Sequence, residues 1–464
     1  MAWDKQEEAN EAAFLPDDFL QQVYQVREQV MNESNRQLFD DSLKIIHQMR
    51  EERTKQLMEA VSSSYEESEA REIMPFDMER ARRETPGCEQ VLHFNNAGSA
   101  LTTRPVLDAV MAHLQLEARI GGYEAADQAR AAIDHVYDAV AGLIACSPDE
   151  VAIVESATRA WDLAFYSIPF QPGDRILTAM AEYASNYIAF LQIAQRTGAV
   201  VKVISNDAAG QISIDALRNA IDERVKLIAI THVPTNGGLV NPVAEVGKIA
   251  RQHGILYLVD ACQSIGQMPI DVEQIGCDML SATGRKYLRG PRGTGFLYVR
   301  NTVLEQLEPP FLDMHSATWL TRDRYEMQPG ARRFEMFEAN YAARIGLGVA
   351  IDYALQWDMT TLWRRIKALA YTLRTRLSPL PGVIVRDRGV NQCGIVTFTV
   401  EDKSPQEIKA ALSQQQINVT VTPRAATLLD MDARGLESAV RASVHYYNSE
   451  EEIERFCQTV EGLL

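Results

Sequence analysis

Four polar stations stand at the ends of short apolar runs in this chain. Lys286 lies in Ser281-Ala282-Thr283-Gly284-Arg285-Lys286-Tyr287, a Gly-containing turn after a buried-type run. An amine held near an apolar sheet end has a lowered pKa and can form a Schiff base with a carbonyl. Asp260 closes the nearly all-apolar run Leu256-Tyr257-Leu258-Val259. An acid there is costly to bury unless a cation or metal faces it. Glu155-Ser156-Ala157-Thr158 follows Val151–Val154, and backbone N–H groups at a helix start plus a Thr hydroxyl make an anion site. His232 follows Thr231 and opens His232-Val233-Pro234-Thr235-Asn236-Gly237-Gly238. Each station alone also has a plain structural reading. Ser156 is a common helix cap, Asp260 a turn residue, and His232 a satisfied structural side chain. Lys286, with Arg285, Arg289 and Arg292 close by, reads equally as a solvated basic patch.

Order and spacing narrow these readings. The Thr-bearing turn comes first, the Asp about 100 residues later, and the Lys about 25 residues after that. A phosphate cradle, a carboxylate and an imine-forming lysine are the protein groups that pyridoxal 5′-phosphate needs. The carboxylate keeps the pyridine nitrogen protonated and makes the ring an electron sink.

The elements that position these groups follow from hydrophobic patterning. Strand-like runs occur at Val151–Val154, Arg175–Thr178, Val200–Ile204, Leu227–Thr231, Ile255–Val259, Met279–Ala282 and Gly295–Val299. Amphipathic stretches at Asn186–Thr197, Asp215–Asp222 and Val243–His253 lie between them. Strands separated by helical crossovers imply a largely parallel sheet covered on both faces, with ligands bound beyond the carboxyl ends of the strands. A long helical stretch, Ile345 to Leu377, leads into a smaller α+β unit. That unit has strands at Gly394–Val400 and Val440–His445 and a helix at Pro405–Gln415. The last helix, Ser449–Leu463, carries a capping box from Ser449 to Glu452.

The chain start differs. Residues 1–75 hold 8 basic and 17 acidic residues and no Gly. Apolar positions recur at helical spacing through Phe19, Val23, Val26 and Val30, then Leu38, Leu43, Ile46 and Met49. Ser62-Ser63-Ser64 reads as a linker. The expected organisation is an acidic helical extension (1–74), a large domain (75–345) and a small α+β domain (346–464). The extension reads either as a solvated appendage or as a partner-binding arm.

Composition excludes several classes. The 464 residues carry a net charge of −17, with 46% hydrophobic and 23% charged residues, an ordinary globular balance. That charge repels phosphate backbones, so nucleic acid is not the expected partner. No run of 18 apolar residues predicts a membrane helix. Met1–Asn10 is acidic and lacks the apolar stretch of a secretory signal. The six cysteines (88, 146, 262, 277, 393 and 457) contain no C-x-x-C pair, so neither zinc nor a disulfide framework is expected. A reduced cytoplasmic protein is the simplest expectation.

From about Phe76 to Leu464 the sequence resembles the class V aminotransferase superfamily of fold-type I pyridoxal-phosphate enzymes, which includes cysteine desulfurases. The stretches HFNNAGSAL (His93–Leu101), GGYEAA (Gly121–Ala126), HVPTNGGLVNP (His232–Pro242) and ATGRKYLRGPRGTGFLYV (Ala282–Val299) look most like two groups. These are the isopenicillin N epimerase-like proteins and the hercynylcysteine sulfoxide lyases of ergothioneine biosynthesis. The resemblance implies a PLP-dependent transferase fold of type I, with a mainly parallel seven-stranded sheet and a smaller C-terminal α+β domain. It implies that Lys286 holds the cofactor and shuttles the α-proton, that Asp260 pairs with the pyridinium nitrogen, and that Gln263 hydrogen-bonds the phenolic oxygen. Ala157, Thr158, Thr283 and Arg285 would bind phosphate. Tyr183 stands where relatives place a ring-stacking His, and an aromatic face stacks equally well. Arg441 matches the arginine that clamps the substrate α-carboxylate, and Asn96 and Thr235 match substrate-lining positions.

Three departures accompany the resemblance. Arg285 replaces a His beside the lysine. The stretch 418–427, where desulfurases carry a nucleophilic Cys, has none. Glu338 falls near the position where relatives supply a Thr from the partner subunit to the phosphate. The implied activity is a PLP-dependent C–S lyase working by β-elimination on a cysteine conjugate or sulfoxide, as a homodimer. Epimerase and aminotransferase outcomes of the same carbanion stay open. A reading of another class is a non-catalytic module that keeps the fold and binds a partner through the acidic arm.

Overall fold

Seven short apolar runs build one sheet: β1 (Val151–Val154), β2 (Arg175–Ala179), β3 (Val200–Ile204), β4 (Val225–Thr231), β5 (Leu256–Asp260), β6 (Met279–Thr283) and β7 (Gly295–Val299). The computed structural model describes residues 76–464. The acidic extension expected over 1–74 therefore lies outside the described residues. The strand order is β1-β7-β6-β5-β4-β2-β3. Strands β3, β2, β4, β5 and β6 pair in parallel, and β7 runs antiparallel to both β6 and β1.

Side chains alternate across a strand, and here the alternation feeds two apolar layers. Ile153, Ile228, Tyr257, Val259, Leu280 and Phe296 point into one. Ala152, Leu227, Leu256, Leu258, Met279 and Leu297 point into the other. Central strands buried on both faces read as unbroken apolar runs, as parallel sheets require. Edge strand β3 instead alternates between exposed and half-buried residues.

Helix α1 (Arg104–Ile120) packs on the later helix Tyr341–Leu355, while the first layer takes α2 (Arg130–Ile144) and the second takes α3 (Ala157–Tyr166) and α4 (Ala184–Thr197). Helix α5 (Val243–His253) connects β4 to β5 and joins the first layer. The long helical stretch expected from 345 to 377 is two helices, α6 (Tyr341–Leu355) and α7 (Met359–Leu377). The break falls at Asp358, which adopts φ 58° and accepts the N–H groups of Thr360 and Thr361 with its carboxylate. A short polar side chain tolerates that left-handed conformation and restarts the helix as its cap. Helix α6 is buried along most of its length and crosses the position, near 345, where the large and small domains were divided.

An antiparallel hairpin, β8 (Ala317–Thr321) and β9 (Arg324–Met327), lies in the chain between β7 and α6. It went unread in the sequence because its strands are short and mostly exposed. The small sheet contains β10 (Val383–Val385), β11 (Ile395–Val400), β12 (Thr420–Pro423) and β13 (Ser438–Ser443), all antiparallel in the order β10-β11-β13-β12. Helices α8 (Pro405–Gln414) and α9 (Glu450–Glu461) both start with capping boxes. No helix among the described residues is long and apolar enough to cross a membrane.

Candidate active site

Sheet register gathers the strand ends at one edge. Thr231 stands opposite Asp260, and Asp260 opposite Ser281. Gly295 of β7 lies opposite both Thr283 and Val154, so the β1 end, with Glu155 to Thr158 beyond it, joins the same edge. A cleft of about 250 Å³ opens there.

Asp260 closes β5 and is buried. One carboxylate oxygen accepts the Cys262 N–H at 2.8 Å and the other accepts the Asn186 side-chain amide at 3.0 Å. Burial raises its pKa, against the pull of those two hydrogen bonds and of the Lys286 charge. Lys286 leaves β6 through a tight turn in which Gly284 N–H donates to Thr294 O at 2.9 Å and Gly290 N–H to Gly284 O at 2.8 Å. Its Nζ lies 3.2 Å from Cys262 Sγ. Both Asp260 and Lys286 line the cleft, together with Ala157, Thr158, Tyr183, Thr235, Gln263, Thr283 and Arg285.

The anion end is built on α3. Ser156 caps this helix by accepting the Arg159 N–H at 3.1 Å, and the next N–H groups, at Ala157 and Thr158, have no helical acceptor. Gly295 makes the close approach possible. A Cβ there would sit 2.7 Å from the Ser156 carbonyl carbon and 2.6 Å from Ala282 O. Thr283 and Arg285 complete this end, the latter anchored by its guanidinium on Gly98 O.

Behind the cleft lies a network that sequence reading missed. Glu182 is buried and accepts from Thr178 Oγ1 (3.0 Å), Tyr183 N–H (2.9 Å), Thr231 N–H (3.2 Å) and the Thr231 hydroxyl. The Asn186 amide donates to Glu182 at 2.8 Å and also to Asp260. Burial raises the Glu182 pKa. The signal available in the sequence was the i, i+4 pair Glu182 and Asn186 at a helix start, one face of one turn. Tyr183, between them, exposes its ring to the cleft.

Two predicted residues stand apart from the lining. Arg441, on β13, is buried and reaches Thr235 O at 3.0 Å and the Thr235 hydroxyl. Its Nε has no partner, and no carboxylate pairs with it among the described residues. Burial pushes its pKa down to about 10. Asn96 is fully buried, and its amide is engaged by Ser443 O at 2.7 Å, His93 O at 3.2 Å and the Tyr447 hydroxyl. It braces residues 93–96 against the small sheet and the segment after it, and presents no free group to the cleft. Glu338 is exposed and borders a shallower depression that shares Glu155 and Gly293 with the cleft.

The family model described as aminotransferase class-V matches residues 92–456. The chain belongs to the class V aminotransferase family. A probable cysteine desulfurase of Methanothermobacter thermautotrophicus is 30% identical over 391 residues, 83% of this chain and 98% of that protein. The apo structure of cysteine desulfurase from Thermococcus onnurineus superposes with a TM-score of 0.79 at 28% identity, covering 84% of this chain and 99% of that one. A cystine C–S lyase solved with its product, cysteine persulfide, gives a TM-score of 0.74 at 24% identity over 81% of this chain and 99% of that one. At that identity the likeness is one of fold.

This class V enzyme has the PLP-dependent fold of type I, and its cofactor is pyridoxal 5′-phosphate. The residues present fit that group. Gln263 leaves its side-chain Oε1 buried and unpartnered while its Nε2 donates to Ala97 O and Thr235 Oγ1, so one end of the amide remains for a polar ring substituent. The stretch 418–427 forms β12 and a short 3-10 turn, with no thiol. Cys262 lines the cleft, but burial raises its pKa and keeps it a thiol.

Proposed function

We propose that this class V enzyme cleaves the C–S bond of an amino acid by β-elimination, taking a cysteine conjugate or sulfoxide, with hercynylcysteine sulfoxide as the leading candidate. The carrying observation is that Lys286 and Asp260 face one cleft while 418–427 lacks a cysteine. The first supports carbanion chemistry, and the second supports elimination without a persulfide formed on that loop.

Bound pyridoxal phosphate supplies an electron sink for charge developing at the substrate α-carbon. Asp260 holds the ring nitrogen protonated, and the Cys262 N–H and Asn186 amide fix its carboxylate in place. The α3 N-terminus at Ala157 and Thr158 binds the phosphate with Thr283 and Arg285. Tyr183 stacks on the ring, and Gln263 meets the phenolic oxygen. Arg441, a buried cation without a carboxylate, takes the substrate carboxylate in bidentate fashion, with Thr235 steadying it. Lys286 removes the α-proton. The C–S electron pair leaves with the sulfur, and the released aminoacrylate hydrolyses to pyruvate and ammonia. How the residues of the cleft orient the substrate's α-carbon bonds would decide between elimination, epimerisation and transamination.

Lys286→Ala in purified holoenzyme should abolish both the visible absorbance band and turnover. Retention of both would remove this reading. A panel of cysteine conjugates, sulfoxides and D- and L-amino acids separates the outcomes. Pyruvate release marks the lyase, inversion of chirality the epimerase, and keto acid without sulfur release the aminotransferase. We also read the enzyme as a homodimer. Exposed Leu107, Met111 and Leu114 on one face of α1 and Trp319 and Tyr325 on the hairpin support an apolar contact with a second copy.

A further inference from the structure

Arg289 follows Lys286 by three residues, and the alternative reading of that stretch as a solvated basic patch does not hold for it: Arg289 is 2% exposed. Its Nε donates to Leu101 O at 2.8 Å, one terminal nitrogen to the Tyr446 hydroxyl at 2.8 Å, and the other to Thr85 Oγ1. The guanidinium lies over the rings of Tyr447, Tyr446 and Tyr353, at 4.5, 5.3 and 5.8 Å from their centroids. No carboxylate pairs with it among the described residues. Its backbone adopts φ 64°. A buried cation held by neutral groups is expensive, and a non-glycine residue in the left-handed region adds strain. Strain of this kind persists where the surroundings over-determine it, commonly beside active sites.

The partners of Arg289 explain the arrangement. Its N–H donates to the Lys286 carbonyl at 2.9 Å. The next carbonyl, that of Tyr287, meets His445 Nε2 at 2.9 Å. The Tyr446 N–H donates to His445 Nδ1 at 2.9 Å, which sets the tautomer and makes Nε2 the donor. Tyr447 stacks on His445, with ring centroids 5.0 Å apart. Residues 445–447 continue the chain directly from β13, which carries Arg441. The lysine turn is therefore held by a segment that continues the strand of the carboxylate clamp, at the Tyr287 carbonyl by His445 and through the Arg289 guanidinium by the Tyr446 hydroxyl.

We propose that Arg289 is a positioning residue, holding the Lys286 turn at a set distance from Arg441 so that the amine meets the substrate α-hydrogen. This rests on the reading of Lys286 as the proton-transfer group and Arg441 as the clamp. The test uses holoenzyme and L-alanine in D2O, with α-proton exchange followed by NMR and the visible band titrated against pH. Arg289→Met should keep the band but slow exchange by about 10- to 100-fold, with the L-alanine half-saturation changed less than threefold and the band's pH midpoint displaced. Arg289→Lys should recover part of both. Wild-type exchange and an unmoved midpoint in Arg289→Met overturn the proposal. Should Arg289→Met not fold, Tyr446→Phe, which keeps the ring and removes one acceptor, decides: a smaller loss in the same direction supports it, and wild-type behaviour overturns it. Lys286→Ala distinguishes the two levels. Loss of band and exchange there, with Arg289→Met like wild type, sinks the positioning role alone; retention there sinks the underlying reading.

Discussion

His232 shows how the site's surroundings restrict charge. The ring is buried, its Nδ1 has no partner, and burial pushes its pKa down to about 4. The unfolded chain protonates this imidazole near pH 6.5, so folded stability falls as pH drops from 6.5 toward 4, by up to about 1.4 kcal/mol per unit. His232→Leu removes that difference. Urea unfolding at pH 7.5 and 5.5 should show wild type losing about 1 kcal/mol more than the variant over this interval. Equal losses would mean that the ring titrates normally. The same logic separates Asp260 from Glu182. Both carboxyls are desolvated, but Glu182 is surrounded by donors of the protein, whereas the Lys286 charge acts directly on Asp260. Asp260 is thus the acid left to face a ligand, and Glu182 orients Asn186 behind it.

Among elements, the contact of α3 with β7 governs the anion end. Gly295 lies between Thr283 and Val154 in the sheet, and the start of α3 rests on its Cα. Gly295→Ala would place a methyl within 2.7 Å of Ser156 and 2.6 Å of Ala282 O, backbone atoms with little freedom to yield. Overpacking of this kind costs about 1–3 kcal/mol, and here it displaces the N–H groups of Ala157 and Thr158. Titrating the apoenzyme variant with pyridoxal phosphate should give an affinity at least about tenfold weaker, with circular dichroism unchanged. Unaltered affinity would show that α3 does not hold the phosphate.

For the molecule as a whole, the cleft is lined by residues from Glu155 to Gly293, with Arg441 of the small sheet standing behind Thr235. On the reading of the extension as a solvated appendage, deleting residues 1–75 should leave kcat/KM within about twofold of the full chain. The truncated enzyme should still sediment as a dimer through α1 and the hairpin. A large loss of turnover would assign the acidic extension to the chemistry, and monomeric sedimentation would place it in the assembly instead.

The order of residues by itself determined the seven strands and the polar residues that close them. Apolar runs and strand-end side chains are local properties, readable without knowing which strands meet. The cofactor was readable too, because its phosphate, ring nitrogen and aldehyde require three residue types at the ends of three strands, β1, β5 and β6. Only the tertiary structure decided which groups remain available. Asn96 is consumed by Ser443, His93 and Tyr447, and Arg289 turns from a surface charge into a buried brace. Asn186 reaches Asp260, 74 positions along the chain. Burial and pairing of this kind depend on sheet register and on the docking of 445–447 against the lysine turn. Those long-range contacts leave no periodicity in the sequence.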